Sequence, residues 1–354
     1  MNAPRSADPL NILRRFAPGT PLRTAAELVV RQGTGALVLL ASGRKADAVS
    51  SGGFILRDAK FTAQRLAELA KMDAGIVVTE DASEILRANV HFIPDSSIAT
   101  SETGTRFRTA ERLAKQTGFP VLAISEEGVR VAVVFTGDSR YALRSPTVLH
   151  AEGNQSLSSL ERLRRRLQHA EDRLTRLEVD DTVTIRDVAH VLQRAELVNR
   201  LGKDLERTLV ELGGDGHLIS VQAADLLDGV DELAELTYQD YVKRRSRTAA
   251  VTPRLAKIRT EDLHDVDVVA DALGLGPVDD ACRARGVRAL AAVPRLPESV
   301  QAALIGHFKT LNKMLSATTA ELAQVDGVGP ARAQHLRNYL DRLQQHGTPF
   351  VLPD

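Results

Sequence analysis

The sequence predicts a multi-domain chain: an N-terminal α/β sandwich, a central all-α connector, and a C-terminal array of short helices joined by tight turns. Three observations predict it. Over residues 1–150 short aliphatic runs alternate with amphipathic stretches; from Leu157 a leucine seam at helical spacing replaces them; and over residues 289–354 glycine and proline cut the helices short. A length of 354 residues suits two or three domains, each able to bury a core without a metal or disulfide staple. The expected boundaries are 1–150, 151–288 and 289–354.

In the first domain Ala36 to Ala41, Gly75 to Thr79, Val121 to Ser125 and Val129 to Phe135 are β-branched or aliphatic runs bounded by Gly, Asp, Ser or Pro, the pattern of buried strands. Between them, Phe61 to Lys71 reads as a helix capped by Thr62, and Thr105 to Gln116 as a helix stopped by Gly118. In the connector, Leu160, Leu163, Leu167, Ala170, Leu174 and Leu177 form an a/d seam. Arg162, Arg164, Arg165, Arg166, Glu171, Asp172 and Arg173 fill the outside positions, a pattern that favours a charged, solvated face of a helix packed on another helix over a nucleic-acid contact. Periodicity resumes from Ile185 to Leu209, stops at Gly213 and Gly214, and returns over Val221 to Arg247. The last domain reads as Ala289 to Ala292, the turn Val293 to Pro297, and helices at Glu298 to Phe308, Leu311 to Leu315 and Thr319 to Gln324. The turn Asp326 to Gly329 then leads into a helix over Pro330 to Leu343. A helix, a short turn and a helix thus occur twice.

Composition narrows the function classes. Lys+Arg and Asp+Glu number 46 each, so any affinity for nucleic acid must come from a local patch. Cys282 is the lone cysteine, which excludes a disulfide framework and a four-thiolate metal site and suits a reducing cytoplasm. No targeting or membrane segment is expected, because no apolar run follows the N-terminal arginines and Gly35 to Ala41 is far too short to span a bilayer. With aromatics at 4% and no Trp, stacking of bases on aromatic rings is a poor candidate binding mode.

Three constellations carry chemistry. In Asp326-Gly327-Val328-Gly329-Pro330 two glycines allow a sharp turn that offers backbone N–H groups to an anion, just before a helix N-terminus; alone it is equally a plain αα-turn. In Thr103 to Arg112 a Gly-flanked threonine opens a helix, and Arg106 and Arg108 add guanidinium forks suited to a polyphosphate; alone it is a capped surface helix. Asp73, between a helix and an apolar strand, can hold a divalent metal against phosphate oxygens and accept a hydroxyl proton; alone it is a turn residue.

Together they are more specific. The runs Ser51 to Phe54, Leu69 to Asp73, Ala88 to His91, Ile93 to Asp95, Thr100 to Arg106, Arg108 to Arg112 and Ala114 to Gly118 resemble the diadenylate cyclase domain of the DisA family. The resemblance extends through the connector to the two terminal turns, which look like a tandem helix-hairpin-helix DNA-binding module. It implies an enzyme that condenses two ATP into cyclic di-AMP and two pyrophosphates, with Mg2+ or Mn2+, between facing domains of an octamer whose spine is the connector. It further implies non-sequence-specific binding of branched DNA. By position, the catalytic residues would be Asp73, Arg106 and Arg108: Asp73 would bind the metal and help activate the 3′-hydroxyl, and the two arginines would offset charge on the departing pyrophosphate. Thr105, Arg106, Phe107, Arg108 and Thr109 would border the triphosphate, with Ser125 reaching the phosphates and main chain near Ala74 and Phe92 along the nucleoside. Gly327, Val328, Gly329, Arg295 and Arg332 would meet DNA. Basic and acidic side chains nearly balance beyond Ala291, so that DNA affinity is expected to be weak and strongly salt-dependent.

Two departures fall inside the motifs. The family's Asp-Gly-Ala reads Asp73-Ala74-Gly75, and its Arg-His-Arg reads Arg106-Phe107-Arg108. A Cβ at 74 is costly if the backbone there needs a positive φ, and Phe107 cannot donate to phosphate. Two readings remain open: a cyclase, slowed by the departures and regulated by DNA, and a catalytically silent nucleotide-binding scaffold on branched DNA. His91 and Cys282 read as structural residues.

Overall fold

A computed structural model of the chain describes residues 9–126, 131–242 and 250–346. By internal contacts the chain divides into two units, Met1–Gln155 with Glu206–Ser220, and Ser156–Leu205 with Val221–Asp354. The expectation was a three-way division.

The first unit carries α1 (Pro9–Arg15), α2 (Pro21–Gln32), β1 (Ala36–Leu40), α3 (Arg44–Ala48), β2 (Ser50–Ser51), β3 (Phe54–Ile55), α4 (Ala63–Ala70), β4 (Gly75–Val78) and β5 (Ile85–Phe92). These are followed by α5 (Thr105–Thr117), β6 (Val121–Ile124), β7 (Ala132–Thr136) and β8 (Ser139–Ala142). The strands form one mixed sheet in the order β2-β5-β4-β1-β6-β7-β8, with β3 also on β5. β1 and β4 run parallel, and the other pairs are antiparallel. Successive side chains of a strand point to opposite faces, which gives two apolar layers. Val38, Leu40, Ile76, Val78, Leu122, Ile124 and Val134 join the buried faces of α1, α2 and α4. Leu39, Val77, Ala123, Val133 and Phe135 join Ala110, Leu113 and Ala114 of α5. At roughly 1.5–3 kcal/mol for each fully buried aliphatic side chain, this two-sided burial holds the sheet. The α/β sandwich is therefore as expected.

Helix ends follow their local chemistry. Thr62 caps α4 by accepting from Arg65 N at 3.2 Å, and Gly118 closes α5 in the left-handed region, φ 76°. The strand expected from Val129 begins at Ala132; Val129 and Arg130 lie outside the described residues.

The long helix α6 (Pro146–Val179) and α7 (Ile185–Leu212) follow, then a 3-10 turn at Gly213–Gly216, α8 (His217–Leu227), α9 (Val230–Tyr241), α10 (Thr252–Leu255) and α11 (Val266–Leu273). In the second unit, Leu160, Leu167 and Leu174 of the predicted seam are fully buried, as are Val188, Leu192, Ala195 and Val198 of α7. Arg194 Nη1 donates to the Arg166 carbonyl at 2.7 Å and Arg173 lies 3.2 Å from Asp187, which fixes α6 and α7 as an antiparallel pair. The helical stretch expected over Val221 to Arg247 is broken between α8 and α9 by Gly229, φ 69°; residues 243–247 lie outside the described ones.

The C-terminal elements are α12 (Val287–Ala291), α13 (Glu298–Phe308), α14 (Leu311–Leu315), α15 (Thr319–Leu322) and α16 (Pro330–His346). The turns before α13 and α16 superpose in kind. Val293 and Val325 are buried, Arg295 (φ 58°) and Gly327 (φ 79°) take the left-handed position, and the N–H groups of Leu296 and Val328 donate back to the Val293 and Val325 carbonyls. A buried carboxylate anchors this array to α9. Asp240 accepts from the N–H groups of Gly286 and Val287 at 2.7 Å each and of Arg288 at 2.8 Å. The Arg288 guanidinium, 5% exposed, donates to Glu178 at 2.6 Å and Thr175 at 2.8 Å on α6, and Tyr241 donates to Glu178 at 2.6 Å.

Candidate active site

The first unit holds a cleft of about 490 Å³ where the N-terminal ends of the parallel strands β1 and β4 meet the C-terminal ends of β5 and β6 and the N-terminus of α5. Strand pairing places its walls: Ala36 lies opposite Ile124 and Gly75 opposite Val90. The residues just outside those strand ends, Gly35, Asp73, Ala74, Ser125 and Glu126, therefore converge on one rim.

The N-terminus of α5 forms the facing wall. Gly104, φ 80°, is its N-cap and supplies no side-chain hydrogen bond, so the first-turn N–H groups stay available to an anion while the helix dipole favours one. The loop before it is held in place by Glu111. This carboxylate accepts from Thr100 Oγ1 and from Ser101 N at 3.1 Å, and pairs with Lys115 at 2.8 Å. Burial pushes its carboxyl up, but the hydrogen bonds from Lys115 and Thr100 outweigh that and leave it below the usual range. Arg112 and Lys115 donate to the carbonyls of Ile98 and Ala99, fastening the same loop.

At the centre Arg106 Nη2 donates to Asp73 Oδ1 at 2.7 Å and lies 3.4 Å from Glu126 Oε2. Asp73 remains largely exposed, 68% at its side chain. Two hard carboxylates flanking one guanidinium suit a divalent cation and a phosphate chain arriving together: the guanidinium can turn to phosphate while the carboxylate turns to metal.

Of the sequence-predicted residues, Asp73, Ala74, Phe92, Thr105, Arg106, Phe107, Thr109 and Ser125 line this cleft. Arg108 does not line it and is exposed; residues two apart on a helix point to different sides, so Arg106 and Arg108 diverge. Phe107 also rests its ring on Phe135, centroids 6.2 Å apart. The swapped Ala74-Gly75 pair has a packing reason. The left-handed residue of this turn is Asp73, φ 53°, so the backbone does not require glycine at 74. At Gly75, a Cβ would come within 2.2 Å of the Phe92 ring and 2.9 Å of the Val90 carbonyl oxygen. Ser125 Oγ accepts from Val131 N at 2.9 Å.

Sequence reasoning missed three cleft residues. Gly35 gives Arg106 its space, since a Cβ there would stand 2.3 Å from the guanidinium carbon. Glu126 is the second carboxylate facing that guanidinium. His91, read as structural, is exposed on the cleft wall. Cys282 is half-buried, and burial pushes its thiol up to about 12. Among the described residues no helix is long and apolar enough to cross a membrane.

A mixed sheet with an uncapped helix N-terminus and a carboxylate–guanidinium pair in one cleft is the architecture of a nucleotide-binding α/β domain. Residues 23–139 match the family described as DisA bacterial checkpoint controller nucleotide-binding, and residues 143–281 the one described as DisA bacterial checkpoint controller linker region. DNA integrity scanning protein DisA of Kineococcus radiotolerans is 44% identical over 337 residues, 93% of each chain. Its counterpart in Parafrankia sp. is 42% identical over 340 residues, 94% of each chain. That of Streptomyces coelicolor is 42% identical over 342 residues, 94% of this chain and 91% of the relative. The chain belongs to the DisA family.

Proposed function

We propose that the chain is a diadenylate cyclase that joins two ATP into cyclic di-AMP and two pyrophosphates, and that its C-terminal turns grip branched DNA. The observation that carries the enzymatic part is the Asp73–Arg106 pair, 2.7 Å apart at the mouth of an uncapped helix N-terminus. On this reading residues 1–150 hold the nucleotide, 151–288 form the spine and 289–354 meet DNA through tandem helix-hairpin-helix turns.

ATP entering the cleft opens the pair. Arg106 and the first-turn N–H groups of α5 take the phosphates, with Thr105, Thr109 and Ser125 adding hydroxyl contacts. Phe92 and main chain at Ala74 border the nucleoside. Arg108, outside the cleft, reaches only phosphates that extend past the helix. Asp73 would hold Mg2+ or Mn2+, which would supply positive charge to offset that of the phosphates. The 3′-oxygen of one ATP attacks the α-phosphorus of the other, its proton passes toward Asp73 or water, and the bond to the β-phosphate breaks to release pyrophosphate. The second linkage repeats the step with roles exchanged. Arg106 offsets the charge that builds on the leaving pyrophosphate. Each cleft holds one nucleotide, so two must face each other, as in an octamer built of facing pairs. Phe54, Ile55, Met72 and Ile93, exposed at 58, 74, 47 and 58%, are apolar side chains of this unit that such a pairing could cover.

The test is incubation of the purified chain with ATP and Mg2+ or Mn2+ and chromatography of the products. Cyclic di-AMP with two pyrophosphates per molecule is expected. Its persistent absence from this chain, with product restored in an Ala74→Gly, Phe107→His variant, would leave the silent-scaffold reading in its place.

Gly35→Ala is expected to slow the reaction about ten- to hundred-fold, the value of one charge-assisted contact of roughly 1.5–3 kcal/mol, with the melting temperature unchanged. Its methyl displaces the flexible end of Arg106 rather than backbone. Steady-state rates beside a thermal melt check this.

For the DNA part, Gly327→Leu is a poor probe, because φ 79° and a Cβ 3.0 Å from Val300 would strain the fold. Gly329 faces open space. Gly329→Leu should lower affinity for branched DNA at least tenfold at unchanged melting temperature; equal retention on a DNA column removes the hairpin role.

A further inference from the structure

We propose that the exposed face of α6 is a second DNA contact, a row of arginines that takes the phosphate backbone of a duplex. Arg162, Arg165, Arg166, His169, Arg173 and Arg176 are all exposed. At about 100° per residue they fall within an arc of roughly 100°, and at 1.5 Å per residue they span about 21 Å. No Asp or Glu lies within that arc. Asp172 sits at its margin, where it accepts from Gln168 at 3.1 Å. The antiparallel helix α7 adds one further arginine beside the row: Arg194, with His190, lines a cavity of about 240 Å³ with His169 and Arg173. The carboxylate of that cavity, Asp187, lies 3.2 Å from Arg173 and accepts from Thr184.

The arrangement favours DNA over the other ways to use a charged helix face. A solvated face stabilised by its own pairs would alternate signs at i and i+4, whereas along this row Arg162, Arg166, His169, Arg173 and Arg176 follow one another at steps of four and three without an acid. The five charged side chains of the row are all arginine, whose planar fork matches phosphate in a bidentate way. The row carries no apolar anchor of the kind that a protein partner would bury. About 21 Å of helix runs beside about six phosphates of one strand at 3.4 Å each. The opposite face of α6 is occupied, since Glu171, Thr175 and Glu178 there bind Arg288, so the row is the side of α6 left to solvent. It also supplies charge that the C-terminal turns lack, their basic and acidic residues being nearly equal in number.

This inference rests on the DNA-binding reading above and adds a surface to it. The test measures binding of labelled duplex DNA to the full chain by anisotropy between 50 and 300 mM salt. It compares the wild type with Arg162→Gln/Arg166→Gln/Arg173→Gln/Arg176→Gln and with the corresponding four-lysine variant; thermal melts and light scattering report folding and oligomeric state. At about 0.9 counterions per phosphate contact, the four-glutamine variant should lose about 3 to 4 from the slope of log K against log salt, and the four-lysine variant should keep most of it. A wild-type chain that binds DNA with a slope the glutamine variant shares overturns the row and leaves the hairpin reading standing. The same slope with an altered oligomeric mass overturns it in favour of a contact between copies. No DNA binding by the wild type at any salt overturns both readings.

Discussion

Asp73→Asn is expected to lower the rate of cyclic di-AMP formation by about three orders of magnitude while leaving the fold intact. The substitution keeps the side-chain volume and an oxygen for Arg106, and removes the negative charge. That charge is asked to do two things, to hold a divalent cation against phosphate and to receive a hydroxyl proton. Lewis-acid stabilisation of a phosphoryl transition state is worth several kcal/mol, and about 4 kcal/mol is a factor of 10³. The stability cost is small. Asp73 is 68% exposed, and a pair so open to solvent contributes about 0–1 kcal/mol in double-mutant measurements. The expected pattern is therefore a fall in kcat far larger than any change in KM for ATP, because Arg106 and the α5 N-terminus still meet the phosphates. A variant that retains a tenth or more of the wild-type rate would remove Asp73 from the chemistry.

The largest effect on stability is expected at Asp240→Ala. Its carboxylate is 2% exposed and accepts from three consecutive backbone N–H groups that open α12, beside the buried Arg288. Truncation leaves those donors unpaired and Arg288 with one fewer counter-charge, a loss of about 3–5 kcal/mol. For a unit of this size that is roughly 6–20 °C in melting temperature. The pH dependence has a defined sign. Burial and the charge of Glu178 push the Asp240 carboxyl up to about 6, above its ordinary 3.8. Between about pH 4 and 6 the folded state therefore holds this proton more tightly than the unfolded chain does. The advantage of the wild type over Asp240→Ala should narrow as pH rises through that window and level off above it. Urea melts of both proteins at pH 4.5 and 7 check the sign, and a wild-type advantage that widens with pH contradicts it.

How far the sequence could be read depended on whether the signal was local. The bounds of α13 and α14 coincide with the expected ones, and Thr62 and Gly118 end their helices as read, because caps and turn residues act within one turn of chain. Strands β2, β3, β5 and β8 escaped notice. Along β5 the buried Ala88, Val90 and Phe92 alternate with exposed Asn89 and His91, so no continuous apolar run marks a strand that is wet on one face. At the site, Asp73 and Arg106 are 33 positions apart, and the motif alone did not state that they bond each other. Gly35 and Glu126 matter only because the fold brings Arg106 between them, which no pattern local to either residue records. Arg108 failed to reach the cleft for a reason available from helix geometry, its spacing of two from Arg106. The Ala74-Gly75 inversion was read as a backbone problem at 74, and its visible consequence is room for the Phe92 ring at 75.

The most direct measurement is an experimental structure of the full chain with 3′-deoxy-ATP and Mn2+, an analogue without the attacking hydroxyl. The triphosphate is expected against the N-terminus of α5, with Arg106 on phosphate oxygens, Mn2+ beside Asp73, and the 2.7 Å bond between Asp73 and Arg106 broken. Nucleotide bound elsewhere, or bound with that pair intact, would contradict this arrangement.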